Sequence, residues 1–329
     1  MGSKLGWVLS GVLVAALIGF VVYKVVLPSP SEPTAETLET GFLDIQQVGV
    51  SPAVFLGSEP SEPGNAGDDY RLAIAVYEKN KDAIGGAFAR AGEITEGEYV
   101  PELPAMEALR KINEHLGAGA RKKKMYYTDP VKTVVKGTCA SAKDFGNLSD
   151  SITVLASVYY ATKNWPELEK VLHNQFVMGR HMVNEHARAL VVLEGLRNQM
   201  RALNTMQGLY ANWEPNQHVR QLKGVREYTR GLRTVLRSHE NKWKIVWRLR
   251  PEPGNIFRII EKDQDRAWRV DALLVLGAIR YTHKAHRGDS RVAGKLIERF
   301  CMSSDPFEKA AAVAARDLTP EGFKQIAAP

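Results

Sequence analysis

The alternation of apolar and polar positions begins with a long stretch that has no polar charge at all. Residues 5–23, LGWVLSGVLVAALIGFVVY, run nineteen positions without a charged side chain. At ~1.5 Å rise per residue this is roughly 28 Å of helix, close to the ~30 Å hydrocarbon core of a bilayer. The run exceeds the ~7–15 residues of a signal-peptide core. The following Lys24-Val25-Val26-Leu27-Pro28-Ser29-Pro30 offers no small-x-small cleavage site. Residues 5–27 therefore read as an uncleaved signal anchor, with a cleaved signal and a buried core helix as the alternatives. Gly11, Ala15 and Gly19 form a small-xxx-small stripe, which suits either close approach of two such helices or simple tolerance of small residues.

Periodicity then disappears. Residues 28–69 are rich in Pro, Ser, Glu, Thr and Gly, as in PSPSEPTAET and SEPSEPGNAGDD. Such composition buries too little apolar surface to order itself, so the segment reads as a tether. Within it FLDIQQVGVSPAVFL (42–56) is more apolar, and reads as a short strand or docking peptide against the body, or as loose linker.

Helical spacing starts near Asp68-Asp69, which would cap DYRLAIAVYEKNKDAIGGAFARA with Leu72, Val76, Ile84 and Phe88 facing inward. Pro104 opens AMEALRKINEHL, stopped by Gly117 and Gly119. Arg121-Lys122-Lys123-Lys124 reads as a solvated loop, or as a headgroup contact with Tyr126 and Tyr127. NLSDSITVLASVYYAT (147–162) is a further helix. Asn164-Trp165-Pro166 is a turn, and a strongly helical stretch follows to Trp213, with one break near Gly179.

Residues 218–250 carry the strongest local pattern. Arg220, Lys223, Arg226, Arg230, Arg233 and Arg237 recur at spacings of three and four, along one side of a helix. Val219, Leu222, Val225, Thr229, Leu232 and Leu236 run one position earlier, so the helix is amphipathic with a broad basic side. Lys242, Trp243, Lys244, Trp247, Arg248 and Arg250 follow in an alternation of cation and apolar residue that suits a strand or an interfacial segment, with Trp243 and Trp247 at headgroup level. Ten Lys and Arg stand here against Glu227 and Glu240. These twelve residues are the candidate surface for an anionic partner or membrane. The plainer alternative is a core-packed helix with a solvated basic face.

The helix, aromatic turn and helix around Asn164-Trp165-Pro166 resemble a tetratricopeptide-type hairpin. Residues 158–209, through Val171-Leu172, Met178-Gly179-Arg180, Leu193-Glu194-Gly195-Leu196 and Ala202-Leu203, resemble helical segments of uncharacterised secreted proteins of planctomycete-type bacteria; that resemblance implies no activity. DRAWRVDALLVLGAIRY and RVAGKLIERFCMSSDPFEKAAAVAARDLT, with Asp305-Pro306 before an Ala-rich helix, resemble HEAT-like helical pairs. The fold class expected is mostly α: one N-terminal transmembrane helix, then an all-helical extracytoplasmic body of packed hairpins, HEAT-like at its C-terminus. The segments are 1–4, a cytoplasmic N-terminus; 5–27, the anchor; 28–69, the tether; 70–253, a helical hairpin domain; and 254–329, the HEAT-like region, divided at Pro251-Glu252-Pro253-Gly254.

Charge sharpens the picture. The chain has 44 basic and 37 acidic residues. Residues 1–27 hold two basic groups, and 28–69 hold eight acids and no base, leaving 42 basic against 29 acidic in 70–329. Positive charge flanking a span stays cytoplasmic. The expected placement is therefore the bacterial inner membrane, single-pass, N-terminus inside and body periplasmic. A basic body favours anionic lipid, envelope polymer or acidic protein, and outside the cytoplasm nucleic acid is the least expected partner. Other membrane or periplasmic proteins are the expected partners of the helical surfaces.

Candidate chemistry is sparse. Cys139 and Cys301 would either pair in an oxidising compartment or stand as two unrelated buried thiols. His181 and His186 are five apart, which turns them ~140° from each other on a helix and misses the HExxH spacing. His283 and His286 lack a third ligand at suitable spacing. No Walker lysine loop, GxGxxG after a strand or GxSxG occurs. The expectation is a binding role without catalysis, metal or cofactor: a membrane-anchored scaffold subunit, or alternatively a basic-faced binder of anionic lipid or polymer.

Overall fold

The helical body begins at Asn65, whose side-chain oxygen accepts the Gly67 amide at 3.0 Å and caps the first long helix. The structure, a computed structural model, describes residues 51–57, 59–126, 141–184, 188–247, 252–282 and 287–318. The expected anchor 5–27, the tether as far as residue 50, Cys139, His186, Arg248, Arg250, His283 and His286 lie outside the described residues. Among the described residues no helix is long and apolar enough to cross a membrane.

In chain order the elements are α1 (Ala53–Leu56), β1 (Glu62–Asn65), α2 (Ala66–Ala89), α3 (Ala91–Glu96), α4 (Leu103–Arg121), β2 (Lys122–Lys124), α5 (Ala142–Ala161), α6 (Trp165–Asn184), α7 (Ala189–Asn212), α8 (Val219–Val246), α9 (Pro253–Lys262), α10 (Arg266–Thr282), α11 (Arg287–Cys301) and α12 (Pro306–Arg316). The architecture is mostly α, as the spacing of apolar positions predicts. The two short strands pair in parallel, with Glu62 opposite Lys122 and Asn65 opposite Lys124.

Helices α2 to α8 enclose one core with Tyr70, Phe145, Phe176, Leu196, Met206 and Leu232 at its centre. Its tightest crossing is α6 on α7. A Cβ added at Gly179 would stand 2.6 Å from the Gly195 carbonyl oxygen, and one at Gly195 2.7 Å from the Gly179 oxygen. The two backbones touch, which only glycine permits. Beyond residue 252, α9 packs on α10, and α10, α11 and α12 pack on one another. They bury their own apolar set, including Ile256, Ile260, Leu276, Ile279, Ile297 and Ala311. Asp305 caps α12, accepting the amides of Phe307 at 2.9 Å and Glu308 at 3.0 Å.

Several expectations are corrected. The tether was expected to reach residue 69, but Phe55 is 2% exposed and residues 62–69 form β1 and the first turn of α2. Residues 122–124 are a strand, because Glu62–Asn65 offers them a partner. Gly117, Gly119 and Gly179 interrupt nothing; they lie within α4 and α6, where a neighbour comes too close for a side chain, as at Gly119 against the Tyr70 ring. Leu72 and Phe88 are exposed: the buried Ala66, Tyr70, Ala73, Ile84 and Ala87 share one arc of α2 on both sides of the kink at Asn80 (φ −126°, ψ 15°), Leu72 lies ~110° from the centre of that arc, and Phe88 sits at its edge in the last turn. Residues 242–246 continue α8 and form no strand.

Candidate binding face on helix α8

Helix α8 holds the row of cations, and its 28 residues sort them cleanly. Val225, Tyr228, Leu232, Val235, Ile245 and Val246 are buried. Arg220, Lys223, Arg226, Arg230, Arg233, Arg237 and Lys244 are all exposed. At 100° per residue, every one of these cations except Arg220 falls within about 80° of arc. None of the seven side chains makes an ion pair or hydrogen bond with another described residue. Glu227 lies beside the row and is exposed. Glu240 is engaged by Arg197 at 3.4 Å and so leaves the row uncompensated at that point.

The remaining candidates divide differently. Lys242 is 4% exposed, and its Nζ lies 2.9 Å from Asp263 Oδ2 on a residue equally buried. Trp247 is half-buried and donates its indole N–H to Asp271 Oδ2 at 3.3 Å. The Arg188 guanidinium lies 5.8 Å over its ring. Trp243 is half-buried and packs on Trp247, ring centroids 5.5 Å apart. The structure thus brings six of the expected cations and Lys244 onto one exposed face, and turns Lys242 and Trp247 inward. The alternation that suggested a strand is misleading in a helix, where residue 242 points about 140° away from the centre of the row.

Those inward residues build a buried polar seam between α8 and the helices after 252, for which no spacing along the chain is a signal. Asp271 is fully buried and accepts from Arg188 Nε and from the Trp247 indole. Trp268 Nε1 donates to His239 Nδ1 at 2.9 Å. Burial pushes the Asp271 and Asp263 carboxyls up from the usual carboxylate range, while Arg188 and Lys242 pull them back.

A second unforeseen feature lies against α8. Phe55 of α1 stands edge-on to Phe176 at 5.2 Å and to Tyr228 at 5.7 Å. Val54 sits where α8 has Gly224; a Cβ there would be 2.6 Å from Val54 Cγ1. Further along, Glu59 pairs with Arg180 at 2.5 Å and Glu62 with Arg121 at 2.9 Å. Asn65 Nδ2 donates to the Tyr126 carbonyl at 3.2 Å. Residues 53–65 are a strap across α8, α6 and α4. The apolar stretch 42–56 does carry a sequence signal for this, since Val54, Phe55 and Leu56 stand out in a polar segment. Burial pushes the Tyr228 hydroxyl up to about 12.

Histidines and acids show no clustering that would hold a metal ion among the described residues. His181 is buried; Tyr70 donates its hydroxyl to His181 Nδ1 at 2.7 Å, and the ring also hydrogen-bonds the Lys122 backbone. Tyr210 donates to Glu169 Oε1 at 2.6 Å, with His173 Nε2 3.3 Å from the same hydroxyl. Cys301 is buried on α11. Comparison with protein-family models, curated proteins and solved structures finds no match.

Proposed function

We propose that the chain is a membrane-anchored structural subunit of an envelope membrane assembly, binding partner proteins through its helical body. In this reading residues 5–27 span the bacterial inner membrane, the N-terminus is cytoplasmic and the body periplasmic. The strap is the observation that carries it. The chain that follows the apolar stretch is fixed into the body by Phe55, Glu59, Glu62 and Asn65, so a pull on the N-terminal side reaches α8, α6 and α4 directly. The strap couples the N-terminal side of the chain to three helices of the body at once, which suits a scaffold held at a membrane. Helices α9 to α12, paired as they are, extend the surface as a HEAT-like end to the body.

Native purification in mild detergent, followed by mass spectrometry, tests the reading. Stoichiometric membrane or periplasmic subunits are the expected result. A monomer alone, in detergent and at low salt, would count against it.

A further inference from the structure

We infer that the basic row of α8 lies on the anionic phospholipid headgroups of the membrane that residues 5–27 are proposed to span; the inference rests on that anchor reading. Three observations carry it. The first is what the face lacks. Protein interfaces draw most of their affinity from aromatic or aliphatic side chains buried at the centre, ringed by polar groups. Along α8 those side chains, Tyr228, Leu232, Val235 and Ile245, point into the core. Val219, at the first position of the helix, is its one large apolar side chain exposed among the described residues. What remains is charge alone, and a headgroup layer needs nothing else to attract it.

The second observation is shape. From Lys223 to Lys244 the row runs ~32 Å along one side of the helix at 1.5 Å per residue. A single row of separate cations fits a plane of evenly repeated anions better than a folded partner with a few fixed carboxylates. The third is position. Val54 and Phe55 seat directly against Gly224 and Tyr228 of α8. That seat is on the side of α8 turned away from the row, so the first described residues after the proposed anchor hold this helix and leave its cations uncovered. Even fully extended, residues 28–52 reach no farther than ~80–90 Å, so an anchored chain keeps this helix close to the bilayer. Trp247 is committed to Asp271, so the contact is a superficial electrostatic one without aromatic insertion.

Arginine footprinting of the full chain tests this without any substitution. The chain is reconstituted into nanodiscs of phosphatidylcholine alone, or of phosphatidylcholine with phosphatidylglycerol as a third of the lipid. Phenylglyoxal modification is then read by mass spectrometry. Arg226, Arg230, Arg233 and Arg237 are expected to lose reactivity about threefold or more in the anionic discs and to regain it at high salt, while Arg71 on α2 does not change. Equal reactivity in the two discs overturns the inference and leaves the anchor standing. Failure of the chain to enter discs at all overturns the anchor reading and the inference together. Protection that requires a co-purified acidic protein, and not anionic lipid, overturns the inference and assigns the face to that protein.

Discussion

Lys242 and Lys244 stand two residues apart on α8 and do opposite work. Lys242 is locked to Asp263 in the interior, whereas Lys244 belongs to the exposed row. Removing one partner of a buried ion pair strands the other charge, so Lys242→Ala should destabilise by about 3–5 kcal/mol. Lys244→Ala should stay within about 0.5 kcal/mol of the parent. Denaturant midpoints of both variants in detergent check the contrast, and equal effects would contradict the seam. Gly179→Ala forces a methyl group onto the Gly195 carbonyl and should cost about 2–3 kcal/mol in the same measurement. His181 makes the fold acid-sensitive. Burial lowers its pKa to about 4 from an ordinary 6.5, so between those values the unfolded chain is protonated and the folded chain is not. Its contribution is fully present above pH 6.5 and is lost as pH falls towards 4, on the order of 3 kcal/mol in all. Unfolding midpoints from pH 7 to pH 4 should fall more steeply for the parent than for His181→Gln. These residue-level roles were the least legible in the sequence. Neither a lysine in an alternating run nor a lone histidine announces its partner, because Asp263 and Tyr70 are distant in the chain and meet only on folding.

At the level of elements, α8 was legible and its end was not. The three-and-four spacing of Arg220 to Arg237 fixes a helix with one basic side, and that side is exposed. After Arg237 the alternation of charge and apolar residue mimics a strand, while the continuing helix puts Lys242 in the buried arc. Helix α2 misled too: Leu72 is twelve residues from Ile84, ~120° round the helix, and faces solvent while Tyr70, Ala73 and Ile84 share the buried arc. Glycines at 117, 119 and 179 read as stops because sequence shows a missing side chain without showing the neighbour that requires it to be missing. The strap was half legible, through the apolar residues 54–56 in a polar segment. Its anchoring side chain is Phe55, and Phe55→Ala should cost about 3–5 kcal/mol if the pocket of Phe176 and Tyr228 stays open. Hydrogen exchange of the full chain should then show faster exchange in 53–65 than in α6 and α7. Uniform acceleration would mean that Phe55 belongs to the global core and that no separable strap exists.

For the whole molecule, charge and architecture meet in one arrangement. An acidic segment precedes a basic body, and the first packed residues after that segment sit on the helix with the longest uncompensated basic row. The all-helical body was legible from periodicity, and the separate apolar set of α9 to α12 follows the punctuation at Pro251-Glu252-Pro253-Gly254. The polar seam between α8 and the helices after it was not legible, since it gathers isolated residues: Arg188 just before α7, His239 and Lys242 on α8 with Trp247 just after it, Asp263 just after α9, and Trp268 and Asp271 on α10. On the proposed function, this body works at the outer face of a membrane to which its own N-terminal segment holds it. Protease treatment of spheroplasts, after an alkaline carbonate wash has sorted integral from peripheral protein in a parallel sample, tests that claim most directly. The chain is expected to stay with the washed membranes and its body to be cleaved by protease added outside. Release of the chain by the wash, or a body protected in intact spheroplasts and cleaved only after lysis, would contradict it.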